Sequence, residues 1–173
     1  TTTEDFDYSY VMAKMYRRNG IRAFAGFEYL ASPAIGLAGG YDLGDREMRA
    51  ATKPLTPSHT VSRHGRQVVG FGGMGLNYLA PHVWTSITNL VTEIYDRYAE
   101  TGGFEGLFVV NNGWWIPGFP NMSGDKLGST DVGYDDLSVE LFQKEAGIDL
   151  GVPYTPERFE RRYEKIRSYG NFH

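Results

Sequence analysis

The chain has no cysteine. That excludes disulfide frameworks, thiolate metal sites and cysteine nucleophiles, and leaves the redox compartment open. It has no apolar run long enough to cross a bilayer. It also lacks the clustered Lys and Arg that a phosphate backbone demands: 17 basic residues stand against 21 acidic ones, for a formal charge of −4. Nucleic acid is therefore not expected as the main partner, and the pairs Arg17-Arg18 and Arg161-Arg162 fit solvated helix faces. His59 and His64 are too isolated for a metal pair. The acids Asp125, Asp131, Asp135 and Asp136 lack the alternation of an EF-hand loop. The run Gly70-Phe71-Gly72-Gly73-Met74-Gly75 has no Lys-Ser/Thr pair and no strand feeding it, so it is not a phosphate loop. Neither a metal nor an organic cofactor is expected.

What the sequence does have is length for one domain, 173 residues, with 41% apolar and 14% aromatic content to build a core. Apolar spacing of three and four residues predicts a helix over 82–99, with Val83, Ile87, Leu90, Val91, Ile94, Tyr95 and Tyr98 on one stripe. Pro81 suits its first turn and Gly102-Gly103 its stop. The run Leu107-Phe108-Val109-Val110 does not alternate, as expected of a parallel strand covered on both faces. The same grammar occurs earlier: a helix over 8–19 stopped by Asn19-Gly20, then a strand over 21–28. Two more helices are predicted over 134–146, closed by Gly147, and over 156–168, with Thr155 as N-cap and Pro156 as first residue.

Helix, glycine and strand in repeating order imply an α/β fold of parallel strands with crossover helices. Residues 1–173 then form a partial barrel domain of about two βα units, with a long strand-end loop at 30–75 and a helical segment at 134–168. A closed parallel barrel needs eight strands and two are legible, so the chain is expected to be a segment of a larger protein.

Ligands of parallel α/β folds bind outside the carboxyl ends of the strands, which selects two places. Glu28 ends the first strand and suits an acid, base, nucleophile or sugar-hydroxyl acceptor, or else a hydrogen-bonded loop carboxylate. Asn111-Asn112-Gly113-Trp114-Trp115 follows the second. Trp114 and Trp115 offer stacking faces to sugar rings, or fasten the loop; Asn111 and Asn112 offer donors and acceptors to hydroxyls, or form a turn. Asp135 or Asp136 is most simply a helix cap. Asp125 and Asp131 have no such role, and one of them can reach the site or bind a cation. The Asn121-Met122-Ser123 match to a glycosylation acceptor carries no weight without a secretory context.

Four short stretches carry a resemblance: Arg18-Asn19-Gly20-Ile21 before a strand, Leu76-Asn77-Tyr78-Leu79-Ala80-Pro81 before a helix, the passage from Tyr98 to Gly106-Leu107, and Leu141-Phe142-Gln143-Lys144-Glu145-Ala146-Gly147-Ile148. In this order they resemble the middle section of bacterial glycoside-hydrolase-like TIM-barrel proteins. The resemblance implies a (β/α)8 barrel, a polysaccharide or oligosaccharide partner hydrolysed or bound at the strand carboxyl ends, and an extracytoplasmic or secreted location. Glu105-Gly106-Leu107 stands where that family has Asp-Gly-Ile, and Asn111 and Asn112 where it tends to place Asp. An amide neither donates a proton as an acid nor attacks as a carboxylate. The rival expectation is therefore a non-catalytic carbohydrate-binding or structural subunit of a larger assembly, and whether the chain is an enzyme stays open.

Overall fold

A computed structural model describes residues 7–28, 44–68, 76–110 and 127–169. They form a mixed α/β structure with five α-helices and a two-stranded parallel sheet. None of these helices is long and apolar enough to cross a membrane. The chain divides into two compact units, residues 1–30 with 87–112 and residues 31–86 with 113–173.

In the first unit, helix α1 (Tyr8–Arg18) starts where the Asp7 carboxylate accepts the Tyr10 N–H at 2.9 Å. It stops at Asn19 and at Gly20, whose φ is +68°. Strand β1 (Ala23–Glu28) follows. The other strand, β2 (Phe104–Val110), is reached through a 3-10 turn, Ala99–Thr101. Gly103 lies against the backbone of α1, where an added Cβ would collide with the Ala13 carbonyl. Two tyrosines tie this junction: the Tyr10 hydroxyl donates to Glu100 at 2.7 Å, and the Tyr98 hydroxyl lies 3.2 Å from both Asp7 carboxylate oxygens. Tyr98 also meets Phe104 edge to face, with centroids 5.7 Å apart. The exposed Arg22–Glu105 pair at 2.6 Å adds little, about 0–1 kcal/mol.

Helix α2 (Asp45–Ala50) opens the described part of the second unit. An extended segment follows, bridged at Val61↔Gln67 and Ser62↔Val132. Helix α3 (Pro81–Tyr98) begins in this unit and runs into the first. Helix α4 (Asp136–Ala146) is capped by Asp135, which accepts the Ser138 N–H at 2.9 Å, and ends at Gly147 with φ +64°. Helix α5 spans Arg158–Tyr169. The core lies here: Met48, Val61, Tyr134 and Phe159 pack together, with Leu55, Tyr163 and Ile166 against them.

Several expectations change. The long segment 30–75 is not simply a strand-end loop, because residues 44–68 include α2 and the fully buried Val61 and Val68. The β strands are not covered on both faces among the described residues: Phe24, Leu107 and Phe108 are exposed, since a two-stranded sheet has too little width to bury its own apolar side chains. Tyr95 leaves the apolar stripe of α3, while Val83 and Ile87 hold it. The last helix starts two positions later than expected, with the Arg158 N–H donating to the Thr155 carbonyl at 3.1 Å. Arg161 is exposed as expected, but Arg162 is buried. The Gly70–Gly75 run and the Asn121–Ser123 motif lie outside the described residues.

Candidate functional site

β1 and β2 pair in parallel with Glu28 opposite Val110, so the two strands finish side by side. The register is Ala25↔Leu107, Gly26↔Phe108, Phe27↔Val109 and Glu28↔Val110, after an irregularity between Ala23 and Ala25. Along β2 this irregularity takes up one extra residue between Phe104 and Leu107, with the Phe24 ring over Gly106. The consequence for the site is geometric. The end of β1 at Glu28 and the point where the chain leaves β2 for Asn111 are neighbours. For Glu28 the description extends to the backbone, and Asn111, Asn112, Trp114, Trp115 and Asp125 lie outside the described residues.

Asp131 has a structural role that its spacing did not reveal. Its Oδ2 accepts the Gly128 N–H at 2.8 Å, closing the 3-10 turn Ser129–Asp131, and its Oδ1 is 3.4 Å from Arg63 Nε. The Arg63 guanidinium also lies over the Tyr163 ring at 4.7 Å. Next to this pair the Tyr134 hydroxyl donates to the Thr130 carbonyl at 2.8 Å. Burial, with smaller contributions from Tyr163 and Asp131 against an opposing one from Arg63, pushes the Tyr134 phenol up to about 12, so it stays a donor at any ordinary pH.

Among the described residues, a buried polar cluster gathers around Asp136 that the sequence did not reveal. The Asp136 carboxylate is buried between two buried guanidiniums, with Oδ1 at 3.1 Å from Arg158 Nε and 2.6 Å from Arg162 Nη1. Its Oδ2 accepts the Leu55 N–H at 2.9 Å. Arg158 turns its remaining donors on the Met48, Arg49 and Thr155 carbonyls at 2.6, 3.2 and 3.1 Å. Met48 and Arg49 lie in the last turn of α2, whose carbonyls form the negative pole that a guanidinium satisfies, the Met48 carbonyl also accepting the Ala51 N–H. Arg162 donates to the Tyr134 carbonyl at 3.0 Å. One carboxylate and four carbonyls thus balance two cations, and α2, α4 and α5 are pinned together. Beside it, Asp135 is pushed up from the usual carboxylate range mainly by burial, opposed by hydrogen bonds from Ser138 and Asn77. Both Asp136 oxygens and the Nε, Nη1 and Nη2 groups of Arg158 are engaged in these contacts, which marks the cluster as a structural pin rather than a reaction centre.

Ser58 Oγ and His82 Nε2 are 3.0 Å apart, the separation of a nucleophile and its base. Ser58 is fully buried, however, so its hydroxyl has no access to a substrate. Among the described residues no group of three or more His, Asp or Glu side chains is placed to hold a metal ion. The chain matches no family model, no curated protein and no solved structure.

Proposed function

We propose that the carboxyl end of the β1–β2 pair is the carbohydrate site of a glycoside-hydrolase-like protein of TIM-barrel type. The supporting observation is the parallel register that sets Glu28 beside Val110, the residue that precedes Asn111 and Asn112 in the sequence. In this reading Glu28 is the acid, base or nucleophile, Asn111 and Asn112 bind sugar hydroxyls, and Trp114 and Trp115 stack on a pyranose face. Asp125 is the further carboxyl close in sequence; Asp131 is already engaged by Gly128 and Arg63. Hydrolysis needs a second carboxyl about 5–10 Å from the first, one to protonate the leaving oxygen and one to activate water or attack carbon.

A second reading has its own support. Phe24, Leu107 and Phe108 are exposed on the strands, which favours a non-catalytic carbohydrate-binding or structural subunit whose sheet is completed by the rest of a larger chain or assembly. The two readings are separated by assaying the protein against a panel of neutral polysaccharides for binding, by affinity electrophoresis, and for reducing-sugar release. Binding that W114A/W115A abolishes supports the site. Sugar release that Glu28→Gln abolishes supports the enzyme, and binding without release supports the non-catalytic subunit. No binding and no release across the panel would overturn both carbohydrate readings.

A further inference from the structure

We infer that Tyr78 and Trp84 form a second carbohydrate contact, a preorganised stacking platform for a neutral chain of pyranose rings; this rests on the reading of the protein as carbohydrate-active.

The platform is exposed where an apolar core would not be. Trp84 is 54% exposed, Tyr78 45% and the intervening Leu79 53%. Exposed aromatic side chains that adjoin on a folded body offer a face to a ligand. The two rings are neighbours, with centroids 6.4 Å apart and planes tilted by 55°. They present two differently inclined faces, suited to successive rings of a twisted chain rather than to a flat sheet of chains.

The platform is held in place. The Trp84 indole N–H donates to the Tyr78 carbonyl, which fixes the indole and uses its one donor within the chain. What it offers a ligand is ring face, the surface that the apolar side of a sugar takes. The turn beneath is fixed through Asn77: its Oδ1 accepts the Leu79 N–H at 3.1 Å, its carbonyl accepts the Ala80 N–H at 2.9 Å, and its Nδ2 donates to Asp135 at 3.0 Å. Ala80 and Val83 are fully buried and anchor the start of α3. Binding then costs little ordering of the protein.

Charge selects the ligand. No Asp, Glu, Lys or Arg occurs from Leu76 to Thr92. A nucleic acid or acidic polymer would be drawn by cations and a basic peptide by exposed carboxylates; this segment carries neither, and the carboxylate that meets it, Asp135 on Asn77, is buried. A neutral polyol needs neither.

The test makes Trp84 the sole tryptophan, because the chain has three and W114F/W115F removes the others. Its emission is followed while soluble neutral oligosaccharides of glucose, mannose and xylose are added. The expected result is a saturable shift of Trp84 emission, lost on adding Tyr78→Ser, together with roughly 3- to 10-fold weaker polysaccharide binding by Trp84→Ala in the otherwise unaltered protein. Circular dichroism of the exposed-site variants checks that they fold. Unmoved Trp84 emission while W114A/W115A abolishes binding overturns the platform and leaves the strand-end site standing. A shift in Trp84 emission while W114A/W115A binds like the parent supports the platform and removes the strand-end site. No binding anywhere overturns both. A shift that follows protein concentration without sugar also overturns the platform, since it makes Tyr78 and Trp84 a protein-docking face.

Discussion

Replacing Asp136 by Asn tests whether the arginine cluster holds the second unit together. Asn keeps the shape and one acceptor oxygen but removes the charge that two buried guanidiniums share, at 3.1 and 2.6 Å. Arg158 is 0% exposed and Arg162 3%, so neither can turn to water without opening the core around Phe159. Removing one partner of a buried ion pair costs about 3–5 kcal/mol, because the remaining charge is left uncompensated. With a urea slope of about 2 kcal/mol per M, the unfolding midpoint should fall by about 2 M. The assay is equilibrium urea unfolding followed by the helical circular dichroism signal. A triple variant, Asp136→Leu with Arg158→Met and Arg162→Met, should recover only part of the loss, since the Met48, Arg49, Thr155 and Tyr134 carbonyls then lose their donors. A midpoint shift below about 0.5 M for Asp136→Asn would refute the reasoning, because it would mean that the guanidiniums find water or another anion.

Two further stability experiments address the junction of α1 and the charge on Asp135. Gly103→Ala should cost about 1–3 kcal/mol and speed amide exchange in α1, because the new methyl meets the Ala13 backbone. Gly147→Ala should cost about 1–2 kcal/mol from its φ of +64° alone and leave α1 exchange unchanged; equal exchange in both variants would count against the close approach. Asp135 has a folded pKa raised above its ordinary 3.8, so its contribution to stability is fully present below that value and is lost as pH rises through the raised one. Relative to Asp135→Asn, the wild type should therefore be more stable at about pH 4 than at about pH 7, and a pH-independent difference in urea midpoints would rule out the ionisation as its source.

Much of the local structure was legible. The ends at Asn19-Gly20, Gly102 and Gly147 follow from glycine or asparagine at a helix terminus, and a cap at Asp135 or Asp136 from carboxylates near a helix start; that it is Asp135 was decided by the structure. The parallel pairing of β1 with β2 followed from the helix-glycine-strand repeat, and with it the shared carboxyl end that Glu28 occupies. Asp131 was not legible as a cap, because its partner is the backbone of a turn whose sequence carries no periodic signal. Nor was the Tyr78–Trp84 pair, whose exposure depends on which face of α3 the core takes.

By itself, then, the sequence determined most of the helix stops and which residues stand at the strand ends, since those are decided by backbone chemistry within three or four positions; it did not show α2, and it set the starts of α4 and α5 two positions early. It also settled that cysteine chemistry is absent. Only the tertiary structure decided where the core lies and that Arg162, which reads as a solvated charge on α5, is a buried one. The reason is range: Asp136 reaches Arg158 across 22 positions and Arg158 reaches the Met48 carbonyl across 110, and a charge shows itself as internal only when the groups that balance it are brought together.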